Sequence, residues 1–181
     1  MKEPTIQYKI NEFLKANNFP EDGGASQKIA WFKVIGPIAI PLPNLKTRRD
    51  HIYVHDVSHM LTGFDTSWKG EGAVSAWEIS SGGWKNLWIL WAFTLAGFGV
   101  GVLFYYKYTK AAFNDGLKMY NGLTREWSKE KVLSSSYSER KNNFTRNEPL
   151  KMSFSFWATL AVLTTLSPLL IIGLVSLIIF M

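Results

Sequence analysis

Two stretches without a single charged residue, 87–106 and 154–181, decide most of what this 181-residue chain can become. The first reads LWILWAFTLAGFGVGVLFYY. As a helix it rises about 30 Å, the thickness of a bilayer's hydrocarbon core. Trp84, Trp88 and Trp91 crowd one end and Tyr105, Tyr106 and Tyr108 the other, as interfacial aromatic belts do. Gly97, Gly99 and Gly101 let a second helix approach closely, but they also weaken the helix. A re-entrant or buried path therefore competes with a full crossing. The second run holds Ser167–Pro168 and is longer than one crossing requires, which predicts tilt or a kink in a C-terminal transmembrane anchor. The soluble alternative is a pair of core helices, and uncharged runs with aromatic ends make it expensive in so small a chain.

The remainder suffices for about one small domain. Formal charge is +6. Residues 1–86 carry ten basic and nine acidic groups and residues 107–153 ten and five, so the basic excess lies between the apolar runs. With no nucleic-acid recognition pattern, that excess points to a membrane surface, and no nucleic-acid partner is expected. Positive charge favours a cytoplasmic 107–153. The first 24 residues lack an apolar core of signal-peptide length, so the preceding polar part is expected on the same side. A shallow, interfacial or hairpin path through 87–106 satisfies both. The expectation is an integral membrane protein with its polar site at the cytoplasmic face of the inner membrane. The absence of cysteine removes disulfides, thiolate metal sites and thiol nucleophiles together.

The predicted fold class is all-α, a small helical domain with two long apolar helices. Ile6, Ile10, Phe13 and Leu14 recur at helical spacing over 5–18. Pro37, Pro41 and Pro43 make 31–45 extended and irregular. A helix over about 46–61 stops at Gly63, and Asp65, Thr66 and Ser67 are candidate N-caps for the next, which ends at Gly82–Gly83. Four segments follow: 1–83 as a helical domain, 84–106 as a membrane or interfacial helix, 107–153 as a basic helical loop, and 154–181 as the anchor.

All three histidines fall within nine residues, at His51, His55 and His59. Residues four apart share a helix face, so His55 and His59 converge, with Asp56 beside them and Glu71 near the start of the next helix. Two imidazoles and a carboxylate suit a divalent metal, zinc or non-haem iron, with positions open to water or substrate. Asp56 is a ligand or an orienter of an imidazole, and the candidate proton-transfer group. Glu78, seven residues after Glu71, shares its helical face and is a candidate to hold a ligand in place. Trp77 reads as packing, His51 as a bystander, and Arg48 and Arg49 as a solvated pair or a head-group contact. The pattern is not HExxH, since the shorter Asp56 stands where a metalloprotease needs its glutamate base.

His55-Asp56-x-x-His59, eleven residues, then Glu71, resembles the metal signature of the coenzyme Q (ubiquinone) biosynthesis protein family called Coq-four. Leu61-Thr62-Gly63-Phe64 is similar to that family's LTGY and Gly70-Glu71 to its GE pair. More loosely, Ala112-Phe113-x-x-Gly116 with Asn121 resembles an AFxxG helix of Coq-four-like bacterial proteins. The strong part covers residues 44–80. The resemblance implies an all-α, membrane-associated protein acting on a prenyl lipid or quinone precursor. It implies a role in organising a biosynthetic complex, or in oxidative removal of a ring carboxyl, with His55, Asp56, His59 and Glu71 as metal residues. The chain departs from the family in its shortness and its two long apolar runs. The competing expectations are a non-catalytic prenyl-lipid-binding scaffold for a biosynthetic complex and a metal-dependent lipid hydrolase, and the partners expected are such a complex or a homo-oligomer.

Overall fold

The computed structural model describes the backbone of residues 3–35, 38–121 and 128–180. In chain order it forms α1 (Ile6–Ala16), β1 (Ile29–Ile35), β2 (Ile38–Pro43), α2 (Lys46–Thr62), α3 (Trp68–Ser80), α4 (Trp88–Gly116), α5 (Lys129–Ser134), α6 (Tyr137–Asn143) and α7 (Phe154–Phe180). The fold is helical, with one departure from the all-α expectation. The proline-bearing segment, expected to be extended, pairs as an antiparallel hairpin from Ile29↔Pro43 to Ile35↔Ile38. Pro41 and Pro43 are tolerated because in a two-stranded sheet every strand is an edge.

The amphipathic reading of α1 holds. Thr5 Oγ1 accepts from the Tyr8 amide and starts the helix. Ile6, Ile10 and Leu14, one turn apart, are buried against Val57 and Leu61 of α2 and Val132 of α5. Full burial of such side chains contributes about 1.5–3 kcal/mol each. This cluster fixes the back of α2, the helix that carries the histidines.

Of α3, Gly70 and every residue from Gly72 to Ser80 are buried. A helix buried on all sides needs neighbours on all sides, and α4 supplies two of them by folding back on itself. At Tyr105 the backbone leaves the helical region (φ −136°, ψ 36°). Gly101 and Thr109 lie about 12 Å apart along a straight helix, yet a Cβ on Gly101 would stand 2.7 Å from Thr109 Oγ1. The rings of Phe98 and Phe113 stack with centroids 5.9 Å apart. The arm before Tyr105 passes Gly72 at Gly101, Ser75 at Gly97 and Gly83 at Trp91, and the arm after it reaches Trp77 and Ser80 at Gly116. So α4 is a helical hairpin enclosing α3, antiparallel to it on the first arm and parallel on the second.

The glycines of the apolar run serve close approach, as their spacing predicts: a Cβ on Gly72 would stand 2.5 Å from the Gly101 Cα. Gly99 takes α7 in the same way, against Ala161 and Thr165. Trp157 of α7 stacks on Trp91 at 5.4 Å, and Phe154 meets Phe98 and Phe113 edge-on. Pro168 lies within α7, where it removes an amide that Thr164 O would otherwise accept. Ser167 Oγ donates to that carbonyl instead, at 2.8 Å. By length and composition α4 is long and apolar enough to cross a membrane. Its reversal sets it apart from the single straight helix that a reading of 87–106 as one crossing requires.

Candidate metal centre

Helix α2 presents His55 and His59 one turn apart, and the chain must then bring α3 back beside them. Gly63, at φ 73°, ends α2 in the left-handed conformation that glycine adopts without penalty, and its amide donates to His59 O. Of the three candidate caps, Ser67 is the one used: its Oγ accepts from the Gly70 amide, while its own amide donates to Asp65 Oδ1 at 2.9 Å. The turn is too tight for any residue but glycine at 70, where a Cβ would collide with the Asp65 backbone. Glu71 thereby enters the first turn of α3 facing α2.

Three side chains converge. His55 Nε2 and His59 Nε2 lie 3.1 Å apart. Glu71 Oε2 is 3.3 Å from the first and Oε1 3.4 Å from the second. One donor atom from each falls within 4.8 Å of the others, a spacing that one divalent ion can bridge. The site has a closed and an open side. The His59 side chain is 2% exposed, whereas those of His55 and Glu71 are 25% and 31% exposed.

His59 Nδ1 is 2.9 Å from Phe64 O, which can only accept, so that nitrogen bears the proton. His55 Nδ1 is 3.0 Å from Glu78 Oε1, so it too donates. When the rings are neutral, both Nε2 atoms therefore direct lone pairs into the same small space. Two lone pairs at that separation repel, and only a cation or a shared proton between them relieves the repulsion. The titration behaviour expresses the same need. Burial opposes charge on His55, but the carboxylates of Glu78 and Glu71 outweigh it and hold its pKa well above the ordinary histidine value. Burial likewise opposes charge on Glu71, but the closeness of His55 and His59 outweighs it and holds its pKa well below the usual carboxylate range. A bound divalent ion replaces the proton on this acidic, imidazole-lined spot, so the donor set fits a metal.

Glu78 completes a carboxylate–histidine pair of the kind that orients a metal ligand. Its side chain is 1% exposed, and its Oε2 has no hydrogen-bond partner among the described residues. The end of α3 that holds it is tied down from a distance. Asn121 Nδ2 lies 3.3 Å from Glu78 O and 2.8 Å from Gly83 O, and Gly116 packs on Trp77. The Ala112-Phe113-x-x-Gly116 and Asn121 pattern thus has a local use, supporting the helix behind the centre. Trp77 is packing, as expected, at 3% exposure.

Asp56 lies outside the convergence. One residue along a helix is a turn of about 100°, and Asp56 is not among the residues whose donor atoms lie within 4.8 Å of one another; it faces the turn after α1. There a Cβ on Gly23 would stand 2.8 Å from Asp56 Oδ2. Burial pushes its pKa up to about 6, opposed by the charges of His55, His59 and Arg48. Arg48 is partly buried rather than solvated, and its Nη1 donates to Asn44 Oδ1 at 2.9 Å. His51 turns back onto its own helix, donating to Thr47 O, and takes no part in the cluster. Periodicity places Phe13 on the apolar face of α1 but not against the site, where its ring stacks on His59 with centroids 5.6 Å apart. Phe64, through its carbonyl, is likewise invisible to a search for ligand side chains.

Comparison of the chain with protein-family models, with curated proteins and with solved structures finds no match.

Proposed function

We propose that this chain is a Coq-four-like, metal-dependent membrane protein of ubiquinone or prenyl-lipid biosynthesis, acting on or presenting a polyprenylated ring at the bilayer interface. One observation carries the reading: two imidazoles locked with their Nε2 atoms converging on Glu71, on a partly open face beside a long apolar helix. The metal residues of this reading are His55, His59 and Glu71, with Glu78 positioning His55. A bound zinc or iron ion would supply Lewis acidity, or dioxygen chemistry in the iron case, toward a ring hydroxyl or carboxylate.

The chain's own residues do the rest. Phe13 and the α1 cluster keep water from the His59 side. The open His55–Glu71 side admits a polar ring whose tail remains in lipid. Asp56 is the proposed proton-transfer group, working across the two histidines rather than as a ligand. The α7 helix is the proposed anchor, with the centre at the cytoplasmic face.

The placement of Asp56 favours a second reading, a non-catalytic scaffold that holds a prenyl lipid for other enzymes. Mass spectrometry of lipids that co-purify with the detergent-extracted protein, paired with elemental analysis, tests both. The enzyme reading expects a polyprenylated ring lipid and about one divalent metal per chain, and loss of pathway flux in Asp56→Asn with lipid still bound. The scaffold reading expects bound lipid and undiminished flux in that variant. Protein carrying neither metal nor prenyl lipid sinks both.

A further inference from the structure

The tip of the α4 hairpin exposes a continuous, largely aromatic stretch. Six consecutive residues, 103–108, are all exposed, although the helix on either side is half buried against α3. Leu103 is 45%, Phe104 73% and Tyr106 49% exposed, with Tyr105 and Tyr108 close behind. A helix tip in water ordinarily carries polar side chains, and an apolar tip of this size marks a contact with something apolar.

Its surroundings say what kind. Lysines frame the tip: Lys107 within it, Lys69 of α3 over the Tyr108 ring at 4.4 Å, and Lys110 between the rings of Tyr106 and Phe154 at 5.9 and 5.7 Å. Of the acids nearby, Asp65 is engaged by Ser67 and Glu71 by the histidines. Apolar side chains at the apex, then tyrosines, then cations is the depth order of acyl chains, glycerol level and phosphates. A crossing is disfavoured by the hairpin itself. Its first arm is about 25 Å long, and the second arm returns beside it exposing Lys110, Asn114, Asp115 and Lys118, which a hydrocarbon midplane does not accept.

We propose that residues 103–108 form a docking tip that dips into one face of a bilayer bearing anionic head groups and leaves by the same face. The inference rests on the membrane-associated reading above. It also gives the metal centre a position, because Tyr108 meets Phe64 edge-on at 5.6 Å and Phe64 O holds His59. A lipid head group beside the tip is then one aromatic ring away from a metal ligand.

The chain has no cysteine, so single labels are unambiguous. Full-length Phe104→Cys and Asn114→Cys, each carrying a polarity-sensitive fluorophore, are reconstituted into vesicles of phosphatidylcholine alone or mixed with phosphatidylglycerol. In the acidic vesicles the label at 104 should shift to the blue and be quenched by lipids with a shallow nitroxide, while that at 114 stays open to aqueous iodide from the same side. The triple charge reversal K69E/K107E/K110E should abolish the acidic-lipid effect, since each lysine is worth about fivefold in surface binding. A 104 label that iodide quenches fully in acidic vesicles overturns the proposal. So do labels accessible from opposite sides, and a shift that tracks energy transfer between two copies of the chain. Metal content of the same samples reads the centre independently: metal bound with an unshielded tip defeats the docking inference alone.

Discussion

Helices α2 and α4 make an instructive pair. Both carry a pattern conspicuous enough to stand out of the chain, three histidines in one and an uncharged run in the other. In α2 the pattern lies within one element: one helical turn sets His55 beside His59. In α4 the pattern acts through what it meets. Its glycines matter because Gly72 and Ser75 of α3 pass against them, and the apparent length of the helix is undone at Tyr105. A motif within one element survives changes elsewhere in the fold, whereas a motif completed by a partner does not.

Substitutions that break one region and spare the other sharpen this contrast. The largest effect is expected from His55→Ala with His59→Ala, which should take bound divalent metal from about one per chain to none by elemental analysis. The α4 hairpin should survive, as read by unchanged helical content. Gly101→Leu is the converse. It forces a side chain into the Gly72 backbone and should destabilise the fold by about 1–3 kcal/mol in chemical unfolding. Metal should still bind to whatever fraction remains folded.

Glu78→Gln separates positioning from folding. It keeps an acceptor for His55 Nδ1 but weakens the basicity of that ring, so metal affinity should fall about 10–100-fold in a chelator competition. Unfolding of the metal-free variant should become easier where His55 is protonated, because the carboxylate that helps to hold that proton is removed.

The smallest effect is graded with pH. His55 is held well above the ordinary histidine value, so its proton stabilises the metal-free fold fully below about pH 6.5, and that contribution is lost as pH rises through the folded value. Melting temperature of the metal-free protein should therefore decline over that interval. Metal must displace the same proton, so its affinity should rise by up to about tenfold per pH unit until His55 is neutral. A flat affinity profile would remove His55 from the ligand set.

Local chemistry was legible where a few neighbouring residues suffice. The stop of α2 and the start of α3 follow Gly63 and Ser67, and the prolines of 31–45 forbid a helix without saying that the segment pairs as a hairpin. Glu71 was reachable as a ligand because the turn between α2 and α3 is short. Asp56 sat in the motif but not in the convergence, since adjacent helical residues point in different directions. Phe13 and the carbonyl of Phe64 were beyond reach, one because it comes from another helix and the other because every residue has a carbonyl.

What the chain determined by itself, then, is a pair of imidazoles on one helical face, a carboxylate delivered to them by a capped turn, and an uncharged run as long as a bilayer crossing. Covalent spacing and backbone geometry are enough for each. Tertiary structure alone decided that both imidazoles present bare Nε2 atoms to one another, because Phe64 O and Glu78 hold the opposite nitrogens. It alone decided that the apolar run folds back around α3, where Gly72 lies against Gly101 and Gly116 against Trp77 and Ser80.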